Sequence, residues 1–269
     1  MPVDHYENFP VASILLPKAQ RRPTEVIYAF ARSADDIADE GDAPDAERLS
    51  ALNAYLAELD RIERGDAPQT PLFVDVAEIV VRHRLPLQLF RDLISAFKQD
   101  VTVKRYETFD DLHDYCRRSA NPVGRLMLHL FDRVNPRNLE RSDAICTALQ
   151  LINFWQDVAI DWQKNRVYLP LADLRQYRVS EAQIAAGHWT PAWAALLDFE
   201  IDRARRMMLA GGDLARDLPG RFGWEIRFTV LGGLRILEKL QRVRGNVFAR
   251  RPVLKAADWP MLGLRALAY

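Results

Sequence analysis

Three acidic residues lie close together in the first part of the chain. Asp35 and Asp39 are four residues apart, so they share one face of a helix, and Asp36 lies about 100° around that helix from Asp35. Gly41 predicts the end of the helix, where the partial negative charge of the last carbonyl groups disfavours acids. Two interpretations remain open: the acids form a frayed helix end in solvent, or a cation compensates them.

A second polar stripe lies on a segment that is otherwise largely apolar. Asn153, Asp157 and Asp161 recur every four residues. The apolar residues among them are Leu149, Leu151, Ile152, Phe154, Trp155, Val158, Ile160 and Trp162. A helix that is apolar over so much of its surface is normally buried, and an unpaired buried carboxylate is costly. The stripe therefore faces a wet or cation-filled cavity, or it pairs with arginines from other helices.

Together the two tracts have the composition of a magnesium site. Mg²⁺ binds a few carboxylates, several waters and the phosphate oxygens of a substrate, and carboxylates gathered in one cavity repel one another until divalent cations bind. The sequence predicts a Mg²⁺–diphosphate clamp that Arg32, one turn before Asp35, and Arg166, five residues after Asp161, complete. The predicted metal ligands are Asp35, Asp36, Asp39, Asn153, Asp157 and Asp161, and the five aspartates are also the predicted catalytic residues.

The segments that position these residues are predicted to be helical. Apolar residues recur at three-to-four-residue spacing, and strand-like runs bounded by Asn-Gly turns are missing. The predicted fold class is all-α, with residues 1–269 as a single domain. Thr24 is the predicted N-cap of the helix that carries the first acidic tract, and Asn121-Pro122 interrupts a later helix. The other predicted helices span about 45–64, 72–83, 87–100, 110–133, 139–163, 180–187, 191–217 and 222–246, with a turn plus a short helix over 166–176 and a short helix before Tyr269.

Composition limits the classes of function. The chain has 269 residues, and 37 basic residues balance 37 acidic ones, so nucleic acid is not a predicted partner. The two cysteines form no CxxC pair and HExxH is missing, which excludes a typical zinc site and favours a reduced, cytoplasmic setting. The first ten residues do not have the pattern of a signal peptide, and no apolar run reaches the roughly 18 residues of a transmembrane helix.

The paired acidic tracts resemble the two aspartate-rich motifs of the squalene/phytoene synthase family. The similarity is carried by Asp35-Asp36-Ile-Ala-Asp39 and by Asn153-Phe-Trp-Gln-Asp157-Val-Ala-Ile-Asp161, followed by Arg166-Val-Tyr168-Leu-Pro170. This resemblance implies an all-helical isoprenoid-synthase bundle around a central cavity and Mg²⁺-assisted loss of diphosphate from a prenyl diphosphate. The substrate-binding residues that it implies are His5, Asn8, Phe9, Tyr28, Arg32, Asn153, Arg166 and Tyr168.

Within this family, the resemblance is closest to the bacterial hydroxysqualene synthases of hopanoid biosynthesis. Condensing members usually carry a second tyrosine shortly after Tyr-Cys, whereas this chain has Arg117-Arg118 after Tyr115-Cys116. That tyrosine is implicated in joining two farnesyl diphosphates. The resemblance therefore implies a carbon–oxygen lyase that ionises presqualene diphosphate, rearranges the cation and quenches it with water to give hydroxysqualene, without a hydride donor.

Several alternatives remain open at this point. A condensing relative would make presqualene diphosphate, squalene or phytoene from prenyl diphosphates, and a distant relative of the same fold would be a non-catalytic assembly protein. A helical carrier for an apolar ligand would bind without releasing diphosphate. Arg117, Arg118 and Gln156 are the candidates for holding the quenching water. For any single aromatic residue, such as Phe154 or Trp155, core packing is a better expectation than contact with a carbocation.

The apolar tract Trp259–Tyr269 has two possible placements. It rests on a membrane surface and helps an insoluble product to leave, or it packs on the domain. The sequence alone favours packing.

Overall fold

The described residues form helices joined by short loops. The structure is a computed structural model that describes residues 16–269. Within this range there are thirteen α-helices, one short 3₁₀ turn and no β-strand, which confirms the predicted all-α fold class. The helices are α1 (Lys18–Asp39), α2 (Asp45–Arg64), α3 (Pro71–His83), α4 (Leu87–Thr102), α5 (Phe109–Ser119), α6 (Asn121–Leu130), α7 (Pro136–Gln163), α8 (Leu171–Gln176), α9 (Glu181–Ala185), α10 (Pro191–Gly212), α11 (Leu214–Asp217), α12 (Gly220–Arg242) and α13 (Trp259–Leu267).

Local sequence signals explain where several helices begin and end. α2 stops at Gly65, which adopts φ 79° at a cost that only glycine avoids. At the start of α5, the Thr108 hydroxyl accepts from the backbone N–H of Asp111, whose carboxylate accepts from the backbone N–H of Thr108. The side chains of Asn135 and Thr190 cap α7 and α10.

Several helix boundaries differ from the prediction, among them the start of α7 at Pro136 and the end of α12 at Arg242. Thr24 is not an N-cap, because α1 begins earlier and the Thr24 hydroxyl donates to the carbonyl of Gln20 inside the helix. Pro23 removes one backbone donor near the helix start without ending the helix. The predicted helix 191–217 is divided at Asp213 into α10 and α11.

Two buried apolar clusters form the core. One is built from α1, α2, α3 and α4 with part of α6. The other lies around α7, α10 and α12 and includes Trp155 and Trp193, neither of which is exposed to solvent. Met127 of α6 and Phe131, directly after that helix, pack against both clusters, so α6 and its C-terminal end join the two parts of the core.

The loops that follow α4 and α7 run side by side. The backbone N–H of Val167 donates to the carbonyl of Lys104 at 3.0 Å, and that of Leu171 donates to Tyr106 at 2.9 Å. Arg105 and Val167 form an isolated parallel bridge. This pairing fixes the segment that follows the second acidic tract against the end of α4.

The C-terminal helix α13 packs on α12. Leu262 and Ala266 are fully buried and form a small cluster with Leu231 of α12. The tract therefore packs on the domain, as the sequence favoured. Within residues 16–269, no helix is long and apolar enough to cross a membrane.

Candidate active site

The first acidic tract occupies the last turns of α1. Arg32 lies one turn earlier and contacts both Asp35, at 3.2 Å, and Asp36, at 2.7 Å. This arginine offsets part of the repulsion among three acids at the negative end of a helix. Asp35, Asp36 and Asp39 are all partly buried, so the tract is not a frayed helix end in solvent.

Residues that follow the second acidic tract hold Asp39. The guanidinium of Arg166 donates to both carboxylate oxygens of Asp39, with Nη1 2.8 Å from Oδ2, and Nζ of Lys164 lies 3.2 Å from Oδ2. Burial would raise the pKa of Asp39, but the hydrogen bonds and charges of Arg166 and Lys164 outweigh it and hold the pKa below its ordinary value. The two distant tracts therefore meet in the structure.

Asp157, in the second tract, also has an arginine partner. Nε and Nη2 of Arg251 both donate to the carboxylate of Asp157, and Nη2 lies 2.9 Å from Oδ2. Next to this pair, the side-chain amide of Gln156 donates to the backbone carbonyl of Pro252. The sequence left open that Asp157 pairs with an arginine from another helix; its partner Arg251 lies instead in the segment after α12, and these contacts hold residues 251–252 against α7.

Two carboxyl groups of the site have raised pKa values. Burial, together with the charge of Asp39, raises the pKa of Asp35 to about 7, although Arg32 opposes the change. Burial and the charge of Asp157 raise the pKa of Asp161 to about 8. The described side chains therefore leave negative charge at this site incompletely neutralised.

The donor set fits Mg²⁺ that arrives with a phosphate ligand. Among residues 16–269, no three acidic, histidine or cysteine side chains form a ready-made metal cage. Mg²⁺ takes one or two protein carboxylates and completes its coordination with water and phosphate oxygens, so a full cage is not required. Asp35 and Asp161 are suited to this role because a bound cation would stabilise their charged forms and lower their raised pKa values. Asp39 and Asp157 can join them when their arginines move to another anion.

An apolar cavity of about 440 Å³ lies beside the first tract. Tyr28, Arg32 and Asp35 line the side formed by α1. Most of the remaining wall is apolar and comes from α4, α6, α7, α11 and α12, through Phe97, Met127, Leu128, Ile145, Leu149, Leu214, Phe222 and Ile226. The charged groups of the lining are Arg32 and Asp35 on α1 and Glu225 on α12, and the otherwise largely apolar wall suits a ligand with an anionic head and an apolar chain.

Close packing of α6 against α7 shapes one wall of this cavity. A Cβ atom on Gly124 would lie 2.3 Å from Oγ of Ser142 and 2.5 Å from Sγ of Cys146. All three residues line the cavity, so glycine at this position lets the two helices approach.

A buried layer beneath Arg166 was not predicted from the sequence. The carboxylate of Asp100 accepts hydrogen bonds from the hydroxyls of Tyr115, at 2.6 Å, and Tyr168, at 3.1 Å. Its backbone carbonyl accepts from Nη2 of Arg166 at 3.1 Å. Burial raises the pKa of Asp100 to about 6, although the charge of Arg166 and the tyrosine hydrogen bonds oppose the shift. Asp100 therefore supports both Arg166 and Tyr168.

One sequence signal could have revealed Asp100. It is an acid on the apolar face of α4, between the buried residues Phe97 and Val101, and only 4% of its surface is exposed. An acid at a core position of an amphipathic helix needs buried hydrogen-bond donors. Lys164, which contacts Asp39, carried no comparable signal because it follows the end of α7 in an exposed loop.

The remaining predicted residues have different placements. The ring of Tyr168 stacks on Phe154 with centroids 3.7 Å apart, and Trp155 is fully buried, so core packing is the correct interpretation of both neighbouring aromatic residues. Tyr168 lies in the buried layer, and its predicted contact with substrate stays a prediction. Asn153 is exposed on α7, one turn before Asp157. The predictions for His5, Asn8 and Phe9 lie outside the described residues.

The candidates for holding the quenching water do not line the apolar cavity. Arg118 donates to Gln99 at 2.6 Å and to Asp114 at 2.9 Å. Arg117 is largely exposed and lies 4.0 Å from Asp114. Gln156 is buried against the segment after Arg251.

Sequence comparison identifies the family. A sequence model described as squalene/phytoene synthase matches residues 3–258. The chain belongs to the squalene/phytoene synthase family. This match confirms the resemblance carried by the two acidic tracts. Members are synthases that act on prenyl diphosphates, so the chain is placed among enzymes of that class.

Individual relatives give a more detailed comparison. The chain is 42% identical over 168 residues to the hydroxysqualene synthase of Zymomonas mobilis, a match that covers 61% of this chain and 54% of that protein. It thus spans about half the length of that relative. Identity to the hydroxysqualene synthase of Rhodopseudomonas palustris is 34% over 237 residues, covering 87% of this chain and 80% of the relative.

A solved structure shares the fold over most of its length. The crystal structure of a squalene synthase from Alicyclobacillus acidocaldarius superimposes with a TM-score of 0.82 at 36% identity, and the match covers 90% of this chain and 91% of that one.

Proposed function

We propose that the protein is a hydroxysqualene synthase, which converts presqualene diphosphate and water into hydroxysqualene and diphosphate. The observation that carries this proposal is that the two acidic tracts meet beside an apolar cavity. Arg166, which follows the second tract, binds Asp39 of the first. The similarity to two hydroxysqualene synthases supports the choice of reaction.

The arginines of the site prepare it for an anionic substrate. Arg166 and Arg251 neutralise Asp39 and Asp157 in the described state. A guanidinium binds carboxylate and phosphate oxygens in the same two-pronged geometry, so an incoming diphosphate offers each arginine a replacement partner. The exchange frees carboxylates for a cation at the moment when the substrate arrives. Mg²⁺ bound by these aspartates would supply neutralisation of the charge on the leaving diphosphate.

The reaction has two steps, loss of diphosphate and addition of water, and the cavity holds the cation between them. The carbon–oxygen bond to diphosphate breaks, and the bonding electron pair leaves with the phosphate oxygen. Apolar side chains such as Ile145, Leu149 and Ile226 hold the hydrocarbon and exclude bulk water while the cyclopropylcarbinyl cation rearranges. The oxygen of one water molecule then bonds to the cation, and its proton leaves with the diphosphate. No electrons are gained overall, so no hydride donor is needed.

The region around Arg118 favours this reaction over condensation. Condensing members of the family usually have a second tyrosine shortly after Tyr-Cys, where this chain has Arg117-Arg118, and Arg118 is engaged with Gln99 and Asp114. An arginine that is permanently charged does not exchange protons as a tyrosine hydroxyl can. An enzyme that receives presqualene diphosphate ready-made has no need for that exchange.

A product assay tests the proposal. The purified protein is incubated with presqualene diphosphate and Mg²⁺, without NADPH, in ¹⁸O-labelled water, and the products are identified by mass spectrometry. We expect hydroxysqualene that carries the label, and its complete absence would contradict the proposal. The same assay with Glu78→Gln controls for loss of an exposed acid on α3, far in sequence from both tracts.

A condensing synthase is the second candidate, because the similar structure from Alicyclobacillus acidocaldarius is described as a squalene synthase. Farnesyl diphosphate supplied alone distinguishes the two. Its conversion to presqualene diphosphate or squalene would favour the second candidate, whereas hydroxysqualene formed from presqualene diphosphate alone favours the first. A non-catalytic assembly protein would turn over neither compound.

A further inference from the structure

The quenching step needs a water molecule inside a cavity whose wall is largely apolar. The candidates that the sequence offered for holding this water, Arg117, Arg118 and Gln156, do not line the cavity. A water that stays in such a place needs several polar partners close to it. The groups that hold it must therefore belong to the lining itself.

One face of α12 brings polar side chains into this lining. The residues of α12 that line the cavity are three or four positions apart and so share one face of the helix: Phe222, Glu225, Ile226 and Thr229. Glu225 and Thr229 are the polar members of this face, and both are partly buried. Because they are one helical turn apart, their Cβ atoms are about 5–6 Å from each other, and one water molecule can bridge the two side chains.

The hydrogen bonds of these two side chains define how a bridging water would be oriented. The hydroxyl of Thr229 donates its hydrogen to the backbone carbonyl of Glu225 at 3.0 Å, so its oxygen can only accept from a further partner. An ionised Glu225 carboxylate is likewise only an acceptor. A water between them donates one hydrogen to each, and an oxygen lone pair remains for a third partner. A lone pair is what an electron-poor carbon requires.

Other polar side chains of the lining are less suited to accept a proton. The hydroxyl of Thr24 donates to the carbonyl of Gln20 within α1. Burial raises the pKa of the Cys146 thiol to about 11, so this thiol keeps its proton near neutral pH. Asp35 is part of the first acidic tract, where its charge serves the predicted Mg²⁺–diphosphate clamp. Among the described residues of the lining, Glu225 is the carboxylate that lies outside both acidic tracts.

The charge of Glu225 favours addition of water at this wall. Opposite charges attract more strongly where little water screens them. Phe222 and Ile226 flank Glu225 on the same helix face and contribute hydrocarbon to the wall. A carboxylate in these surroundings attracts a carbocation toward the water that it holds.

From these observations we propose that Glu225 is a catalytic residue, which holds the quenching water together with Thr229 and accepts its proton. This inference rests on the proposed function, because it needs a cation formed from presqualene diphosphate. The water oxygen bonds to the cationic carbon, one O–H bond breaks with its electron pair left on oxygen, and the proton passes to the Glu225 carboxylate. The released diphosphate then takes this proton, which restores the carboxylate.

Product ratios measured beside diphosphate release test this role. The wild type, Glu225→Gln and Thr229→Val are each incubated with presqualene diphosphate and Mg²⁺, without NADPH. Released diphosphate reports the ionisation step, and mass spectrometry gives the fraction of the product that is hydroxysqualene. Glu225→Gln should release diphosphate at a rate close to that of the wild type, while the alcohol fraction falls by at least about tenfold. The cation should instead lose a proton to diphosphate, giving a hydrocarbon with one more double bond than the alcohol.

Three further variants separate this role from a structural one. Thr229→Val keeps the shape of the side chain but removes the acceptor oxygen, and it should lower the alcohol fraction by a smaller factor. Glu225→Asp keeps the acid one methylene away and should restore part of the alcohol that Glu225→Gln loses. Glu78→Gln, an exposed acid on α3, should change neither the rate nor the product ratio. Thermal melts verify that each variant is folded.

Two results would overturn the role of Glu225. One is an alcohol fraction that Glu225→Gln and Thr229→Val leave as in the wild type, and Thr229→Val alone decides this if Glu225→Gln does not fold. The other is a parallel loss of diphosphate release and alcohol in folded Glu225→Gln, since the residue would then act before the cation forms. In both cases the wild type still makes hydroxysqualene, so the proposed function stands. A wild type that forms no alcohol would contradict the proposed function, and this inference with it.

Discussion

Arg166 and Asp39 are 127 positions apart in the sequence, yet the guanidinium of Arg166 donates to both oxygens of the Asp39 carboxylate. Only 8% of the Arg166 side chain is exposed, so water screens this pair weakly. The contact joins the end of α1 to the loop after α7 and thereby sets the separation of the two acidic tracts.

Removal of the Arg166 guanidinium should destabilise the protein. Arg166→Gln leaves Asp39 partly buried with Lys164 as its remaining cation, and we expect a loss of about 3 kcal/mol in the free energy of unfolding. Urea denaturation measures this change. Arg175→Gln removes an ion pair with Glu107 that lies in solvent, and it should leave the unfolding midpoint nearly unchanged. Equal effects of the two substitutions would contradict the role assigned to Arg166.

Raised pKa values predict that the metal-free protein loses stability as the pH rises. A carboxyl group whose native pKa exceeds its unfolded value binds extra protons in the native state, so stability falls as pH rises through that interval. The interval runs from 3.8 to about 7 for Asp35 and from 3.8 to about 8 for Asp161. In buffer with a chelator, Asp35→Asn and Asp161→Asn should therefore melt at higher temperature than the wild type near pH 8, and this advantage should vanish below about pH 4.

The change in melting temperature caused by Mg²⁺ and diphosphate is a second test of the same two carboxyl groups. With Mg²⁺ and diphosphate present, the wild type should gain more in melting temperature than either asparagine variant, because the ligand complex stabilises only the state that binds it. A wild type whose melting temperature is independent of pH in the chelating buffer would show that neither carboxyl group has the raised pKa.

Two substitutions of the buried Asp100 should separate the effect of its charge on stability from the effect of its hydrogen bonds. Asp100→Leu leaves the hydroxyls of Tyr115 and Tyr168 without their acceptor and should cost about 2–5 kcal/mol of stability. Asp100→Asn keeps one carbonyl oxygen at the same place and should cost clearly less. Chemical denaturation of both variants, with the exposed substitution Asp202→Asn as control, measures the difference. Identical losses for leucine and asparagine would mean that the tyrosine hydrogen bonds do not matter.

Substitution of two helical glycines by alanine should change the stability of the protein in opposite directions. At Gly124 the new Cβ meets Ser142 and Cys146 at under 3 Å, and we expect Gly124→Ala to lose about 1–3 kcal/mol through overpacking. At Gly263 a Cβ meets nothing within 4 Å, so Gly263→Ala should gain roughly 0.5–1 kcal/mol from the lower backbone entropy of the unfolded chain. Thermal melts of the two variants suffice, and a gain at Gly124 would show that α6 and α7 are not so closely packed.

Periodicity and breakers in the sequence predicted much of the fold. The helix over residues 45–64 has the bounds expected from Gly65, and the interruption at Asn121-Pro122 lies between α5 and α6. These features depend on neighbouring residues, which the sequence shows directly. The prediction of an N-cap at Thr24 is wrong: a hydroxyl that follows a proline resembles a helix cap, but α1 begins at Lys18 and the Thr24 hydroxyl bonds within the helix.

Partners from distant parts of the chain were harder to predict. The spacing of Asp157 and Asp161 indicated that their helix face needs a counter-charge, but it did not identify Arg251, which lies 94 positions away. Likewise, Asp100 and Lys164 entered the site only through tertiary contacts that bring α4 and the loop after α7 together. Local patterns therefore predicted the acids, whereas the folded chain was needed to find what neutralises them.

We expect both acidic tracts to bind one diphosphate together with Mg²⁺. Isothermal titration calorimetry with diphosphate, in the presence and absence of Mg²⁺, measures this directly on the wild type, Asp35→Asn, Asp161→Asn and the control Glu78→Gln. We predict that tight binding requires Mg²⁺, that each aspartate variant weakens it by at least about tenfold, or roughly 1.4 kcal/mol, and that the control does not. Diphosphate that binds equally well without Mg²⁺, or to both aspartate variants as to the wild type, would show that the two tracts do not form a Mg²⁺–diphosphate site.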